Sequence, residues 1–577
     1  MGELLDFYKG MDLSFLQQCQ EEGMVLRDFD GAPRDPLQLA KECGVNAVRL
    51  RLWNSPEHVP ESGGYCSLPR TLEMGRKIKE AGLDFLLDFH YSDYWADPAQ
   101  QRKPKDWEGL SQEELEQAVF RFTRDSLLTL KEGGAMPDMV QIGNEIRSGM
   151  LFPNGEAPDF RGLARLVNAG IRGARAAGGP GLQVMIHLDQ GGRYFYLEEW
   201  FDRAMENGLE DFDVIGLSYY PFWHGTFADL KESMEKLAAR YRKPIILAET
   251  AYAWRITPQG FIDRAQERIA GFPASPEGQR RVLELVMNIS ASLPGRMGRG
   301  IFYWEPFCVP QSGVGGWAEN MGLLREDGSL MEGMRAFSFT RGQYRGGRTA
   351  KVYQPEEQMA PVGGEISLPA QVRVLHFDGT LHSLPVAWEN GGETACARPG
   401  RRLFQGRAEG LEEPVRLWVT VQERAPQAEN LLQDPNWDEG FVRWDMEKSG
   451  GDVTAELRPE FVDPFPAPPR NTLRVESRRN FRFSLSQSVP VQPGRYRLEA
   501  EYQGADTTNV DVKLFLEGCG SQAEAVVHPT EHEWQRIAVE LEAEAPGVLR
   551  AGLRISSPPV YGCVRRFALR RAEEKEE

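Results

Sequence analysis

Up to about residue 340 the chain alternates short, nearly continuous apolar runs with longer helix-like stretches, and this alternation restricts the fold more than any other feature. The runs read FYKGMDLSF, NAVRLRLW, DFLLDFHY, DMVQIGNEI, QVMIHLD, FDVIGLSYYP, PIILAET and GIFYWEP, eight in all. Strands that are apolar on both faces belong to parallel sheets covered by helices. Eight strand–helix units in a segment of this length predict a closed (β/α)8 barrel. The stretches between fit helices; TLEMGRKIKEAG (71–82) and LARLVNAGIRGARAAG (163–178) each close on a glycine, the usual C-terminal stop.

The pattern changes after Phe339, where RGQYRGGRTAKVYQPEEQMAPVGG carries Gly, Arg, Pro and Gln without apolar periodicity. A boundary near 345 gives a barrel over 1–344. Residues 345–425 read as a β-sandwich, with LPAQVRVLHFDG, LHSLPVAWEN and VRLWVTVQE set between Gly and Pro turns. Residues 426–577 read as a second, larger sandwich of the jelly-roll kind, since RYRLEAEYQG, VDVKLFLEG, WQRIAVELEA and VLRAGLRIS alternate with period two. The predicted fold class is therefore α/β, a TIM barrel followed by two all-β domains.

A length of 577 residues exceeds what one hydrophobic core sustains and fits this division. The formal net charge of −18 repels phosphate backbones and anionic lipid surfaces, so neither nucleic acid nor membrane is an expected partner. No apolar run approaches the ~20 residues that span a bilayer, and MGELLDFYKG has neither the basic nor the apolar region of a signal peptide. The seven cysteines, Cys19, Cys43, Cys66, Cys308, Cys396, Cys519 and Cys563, are scattered without C-x-x-C pairs. Neither a disulfide framework nor a zinc site is expected.

In a barrel the polar residues that end each strand form the active site. Here they are Asp12, Arg49 with Arg51, Asp88 with His90, Asn144 with Glu145, His187 with Asp189, Tyr219 with Tyr220, Glu249, and Trp304 with Glu305. Aromatic rings stack on the C–H faces of sugars while Arg, Asn and His bond hydroxyls, so this mixture predicts a neutral polyhydroxylated ligand. Glu145 ends strand four and Glu249 strand seven, which puts them on opposite sides of the mouth. Glycoside hydrolysis needs such a pair, one carboxyl protonated and one ionised. Arg49 near Glu249 would hold that carboxylate ionised and so separate the two pKa values; Asn144 is placed to bond a sugar 2-hydroxyl. A lone carboxylate in this position reads more readily as an ion-pair partner; a second one shifts the balance toward catalysis. His90 and His187 lack metal-ligand spacing, and no metal or cofactor is expected. Trp95, Trp223 and Trp254 read as either exposed or core.

Dense strings, GMDLSFL (10–16), GVNAVRLRLW (44–53), LDFHYSDYWADPAQQ (87–101), VQIGNEIRSGMLFPNG (140–155), HLDQGG (187–192), DFDVIGLSYYPFWHGT (211–226), AETAY (248–252), PASPEGQ (273–279) and FYWEP (302–306), make residues 7–335 resemble the family 53 glycoside hydrolases, the arabinogalactan endo-β-1,4-galactanases. The resemblance implies a retaining mechanism with Glu145 as acid/base and Glu249 as nucleophile. It implies substrate contacts from Arg49, His90, Trp95, Asn144, Tyr219 and Trp304, to which the strand-end reading adds Asp88, His187 and Asp189. Two stretches depart from the family: Gln190 follows HLD, and WAENMGLLREDG replaces the usual W-x-N-Q form after strand eight. Some bacterial relatives hold a structural calcium after strand seven; ITPQGFIDRAQERIAGF lacks the oxygen ligands for one, so calcium is not expected. Residues 362–422 resemble bacterial Ig-like spacers, and 430–572 resemble galactose-binding-like carbohydrate-binding modules. Trp437, Trp444, Tyr502, Trp534 and Tyr561 are that module's candidate platform residues, each open to a core-packing reading.

The implied partner is β-1,4-galactan or arabinogalactan, met by a monomeric enzyme. Competing expectations are a hydrolase of another β-1,4-polysaccharide on the same barrel and a non-catalytic galactan-binding protein, for which a facing acid and nucleophile would serve no purpose. A polymer too large to enter a cell implies a secreted or cell-surface protein whose signal lies outside this numbering; a cytoplasmic enzyme acting on imported oligosaccharides is the alternative.

Overall fold

The computed structural model describes residues 4–572 apart from 211, 311–313, 356, 364–365, 367, 390–397, 423–429, 451–452, 461–469, 478–479, 505–510, 528–533 and 558–559. The chain divides into two compact units, one of residues 1–348 with 377–380, the other of residues 349–376 with 381–577.

In the first unit the eight expected runs form strands one to eight: Tyr8–Asp12, Ala47–Leu52, Asp84–Phe89, Met139–Ile142, Gln183–Leu188, Val214–Ser218, Ile245–Thr250 and Gly298–Trp304. Each pairs in parallel with the next, and strand eight closes on strand one. The barrel is a packed core and not a pore, because every strand contributes to one buried cluster: Tyr8, Ala47, Leu86, Met139, Met185, Val214, Ile246 with Ala248, and Phe302. Gly10 in strand one has no room for a side chain, since a Cβ there would meet the Phe302 ring at 2.2 Å. The two helices read from the sequence appear as Leu68–Glu80 and Phe160–Gly178. Both begin three residues earlier than their apolar period: Asp159 caps the second through its side chain, and a proline in the first turn starts the first.

The second unit is all β. Six strands form one sheet in the order 349–353, 371–376, 381–388, 400–408, 415–422, 358–361. Strand Leu381–Trp388 pairs with both halves, and Trp388 packs against the apolar cluster of each, so the sheet folds about this residue. From Asp445 to Arg571 two five-stranded sheets enclose a single core that includes Leu473, Leu485, Leu498, Leu514 and Leu553. The period-two alternation produces this sandwich directly, one face of each strand meeting the opposite sheet.

Three platform residues expected in this sandwich are core residues instead. Trp437 and Trp444 are each 1% exposed and Tyr502 2%, and both indoles pack edge-on against Phe567. A ring with no accessible face cannot stack on a sugar. Trp534 is half-buried, with the Arg565 guanidinium 3.9 Å above its ring. Tyr561 lies in strand Val560–Arg571, and its side chain is outside the described residues.

Candidate active site

The backbone turns sharply where the strands open into the barrel mouth. Tyr91, Glu145, Gln190 and Glu305, just past the ends of strands three, four, five and eight, all take left-handed conformations, with φ between 48° and 65°. At Glu145 the turn is clamped from both sides. Gln101 Nε2 donates to the Asn144 carbonyl at 2.8 Å, and Trp200 Nε1 donates to the Ile146 carbonyl at 2.9 Å. These bonds aim the Glu145 carboxyl into a cavity of about 430 Å³ that Glu249 also lines.

Glu249, 7% exposed, lies within strand seven, where Arg49 Nη1 stands 2.9 Å from Oε1 and the Tyr220 hydroxyl donates to Oε2 at 3.0 Å. Arg49 is a hub. Its guanidinium also meets Asp12 at 2.7 Å, Asp88 at 2.8 Å and Asn144 Oδ1 at 2.9 Å, at 1% exposure. Asp88 is held in turn by Gln141 Nε2 at 2.6 Å and by His90 at 3.0 Å. Because the Ala96 N–H donates to His90 Nδ1, the imidazole proton sits on Nε2 and points at Asp88. Asn144 gives one amide hydrogen to the Ala96 carbonyl at 2.9 Å and lines the cavity.

The environments separate the two carboxyls. Burial, with the adjacent charges of Glu249 and Asp189, pushes Glu145 well above the usual carboxylate range. Burial, with the charges of Asp12 and Asp88, lifts Glu249 to about 7 even though Arg49 and the Tyr220 hydroxyl favour its ionised form. When the pair carries one proton, Glu145 holds it. His187 is fully buried among Arg49, His90 and His224; burial depresses it far below the usual imidazole range, and neutral it bonds Ser218 Oγ at 2.9 Å.

Of the residues picked from sequence, Glu145, Glu249, Arg49, His90, Trp95, Asn144, Asp189 and Trp304 line the cavity. Asp88 and His187 do not; both are wholly buried and act by holding Arg49, His90, Asn144 and Ser218 in place. Tyr219 is a correction. It is 0% exposed and its hydroxyl donates to the Gly225 carbonyl, while Tyr220 faces Glu249. Consecutive residues leaving a strand point to opposite sides, and sequence alone does not say which points inward. Arg51, named from sequence as a strand-end residue of the mouth, lines the cavity too, as do Asp97, His224, Phe261 and Trp317, to which the sequence reading gave no site role. Arg51 lies two residues from Arg49 on the same strand face. Its guanidinium bonds Glu305 at 2.7 Å and lies 4.4 Å from the ring centres of both Phe15 and Trp95.

The model of the family described as glycosyl hydrolase family 53 matches residues 8–342. The chain belongs to this family. Among relatives of this family 53 barrel, an uncharacterized protein of Niallia circulans is 45% identical over 316 residues, covering 53% of this chain and 84% of its own. The endo-β-1,4-galactanase of Bacillus subtilis is 33% identical over 314 residues, covering 53% and 71%. The family 53 catalytic domain of Ignisphaera aggregans superimposes with a TM-score of 0.55 at 36% identity, covering 58% of this chain and 99% of that domain.

Proposed function

We propose that this family 53 hydrolase is a retaining endo-β-1,4-galactanase, with Glu145 as acid/base and Glu249 as nucleophile. The observation that carries this reading is the convergence of both carboxyls on one cavity, only Glu249 being paired with a guanidinium. The activity named for the Bacillus subtilis relative, endo-β-1,4-galactanase, supports the substrate. Protonated Glu145 gives its proton to the glycosidic oxygen while Glu249 attacks the anomeric carbon, and the departing chain leaves with a hydroxyl. Glu145, now ionised, takes a proton from water, which attacks from the side the leaving chain vacated, displaces Glu249 from the opposite side and restores the original configuration. Arg49 and Tyr220 keep Glu249 anionic before attack and receive its charge again on release. The aromatic walls, Trp95 and Trp304, hold the ring faces.

The function requires contact with a wall polymer, so we place the enzyme outside the cell, acting as a monomer. The six-stranded region serves as an Ig-like spacer, and the terminal sandwich holds galactan through the half-buried Trp534. Retention of the intact protein and of Trp534→Ala on a galactan-containing gel tests that last role; equal retardation of both would remove it.

The central test is product analysis with linear β-1,4-galactan and with mannan, xylan and cellulose, for the protein and Glu249→Ala. Short galactooligosaccharides that vanish in the variant establish substrate, endo mode and nucleophile. Preferential cleavage of another polymer would overturn the substrate.

A further inference from the structure

One outer face of the terminal sandwich carries its charges in two layers. Strand Gly494–Gly504 alternates, so Arg495, Arg497, Glu499 and Glu501 point away from the core that Tyr496, Leu498, Ala500 and Tyr502 enter. Its sheet neighbours, Gln535–Ala543 and Val560–Arg571, set Arg536 with Glu540 and Arg565 with Arg570 on the same face, and Arg566 joins them where the second strand bulges. Three carboxylates then serve six guanidiniums. Glu499 meets Arg497 and Arg536 at 2.6 Å each and Arg570 at 3.8 Å. Glu501 meets Arg565 at 2.7 Å and Arg566 at 2.9 Å. Glu540 meets Arg497 at 2.7 Å and also pairs with Arg495.

The anions lie beneath the cations. The side chains of Glu499, Glu501 and Glu540 are 13%, 19% and 29% exposed, whereas those of Arg495, Arg497, Arg536, Arg566 and Arg570 are 44–70% exposed. A ligand approaching this face therefore meets guanidiniums first. Even with exposed Glu542 of the same face counted, the named groups are six cations against four anions, in a chain whose formal net charge is −18. Surplus guanidiniums repel one another, so the arrangement costs stability until an outside anion covers it. Each guanidinium is a planar fork of five N–H donors, and the part turned to water can take a second carboxylate while the inner Glu holds it in place.

We propose that this face binds a polyuronate, a polysaccharide whose sugars carry carboxylates, laid across the three strands on the outer guanidiniums. The carboxylate matches the planar fork, and the surplus positive charge selects it over a neutral chain. Trp534, the ring proposed above to hold galactan, adjoins the face, with the Arg565 guanidinium 3.9 Å above it. A wall polymer bearing both neutral and charged sugars would engage both. Polyuronate binding makes no use of the barrel, so it stands or falls apart from the galactanase reading.

The test measures binding of the intact protein to immobilised polygalacturonate, to the same polymer fully methyl-esterified, and to duplex DNA. Polygalacturonate should bind, the uncharged ester should not, and the complex should dissociate as salt rises toward about 1 M. The triple variant Arg495→Gln/Arg536→Gln/Arg566→Gln alters exposed side chains and should raise Kd for polygalacturonate by about tenfold. Glu542→Gln, which removes an exposed anion from the face, should lower it. Equal binding of acid and ester, or an unchanged Kd in the folded triple variant, would overturn the proposal. DNA bound as tightly as the uronate would also overturn it, since the face would then be a general polyanion surface. If the triple variant does not fold, the ester comparison and Glu542→Gln decide.

Discussion

Replacing Tyr220 by Phe removes one atom, the hydroxyl that donates to Glu249 Oε2 at 3.0 Å, and leaves a ring already buried in the wall. The lost bond favours only the ionised carboxylate, so its removal raises the proton affinity of Glu249. A hydrogen bond to a charged group contributes about 1.5–3 kcal/mol, and one pKa unit corresponds to about 1.4 kcal/mol, so the shift should be about one to two units upward. Glu249 must be ionised to attack, and its ionisation therefore sets the acid limb of the kcat/KM profile. In Tyr220→Phe that limb moves to higher pH by about one to two units, and below it the variant is slower by roughly ten- to a hundredfold. The alkaline limb, set by loss of the Glu145 proton, should move little. Release of galactan reducing ends, measured across the pH range in which both proteins stay folded, reads both limbs. An acid limb that stays in place, or moves to lower pH, would refute the assignment of Tyr220 as the group that holds Glu249 ionised.

Three further outcomes follow from the same geometry. Glu145→Gln should lower kcat/KM on galactan by about 10²–10⁴-fold and abolish the alkaline limb, yet spare kcat/KM for an aryl galactoside whose phenol leaves unprotonated; equal loss of kcat/KM on both substrates would argue against Glu145 as the acid. Arg49→Met strands Asp12, Asp88 and Glu249 without their shared cation and should cost about 3–5 kcal/mol in denaturant unfolding; an unchanged midpoint would show that the hub is dispensable. Trp437→Ala should destabilise the terminal sandwich by about 3–5 kcal/mol, and a negligible change in its unfolding would return that ring to the candidate binding surface.

The barrel was legible because its determinants are local: eight runs apolar on both faces leave few architectures open. Glu145 and Glu249 were legible for the same reason, each lying at or just past the end of such a run. What stayed hidden depends on direction. Tyr219 and Tyr220 adjoin, and only the packing of Tyr219 against Phe227 and Gly225 decides which one meets Glu249. Phe261 sits in a loop without periodicity, and its place at the rim follows from Asn320, 59 residues away in sequence. In the terminal sandwich, tryptophans serve cores and sugar platforms equally well, and the burial of Trp437 and Trp444 depends on the opposite sheet, which no local pattern reports.

The left-handed turn at Glu145 sets stability against chemistry at one residue. A non-glycine side chain in that conformation costs about 1–2 kcal/mol, which glycine would not incur. Glycine at 145 would thus relax the backbone, and it would also relieve a buried carboxyl of its desolvation. A library of this enzyme screened for heat resistance alone would be drawn toward Glu145→Gly and, with the acid/base role proposed for that residue, would return robust barrels that no longer cut anything. Improvement for use at high temperature has to be sought away from the mouth, and every round of selection has to score cleavage as well as survival.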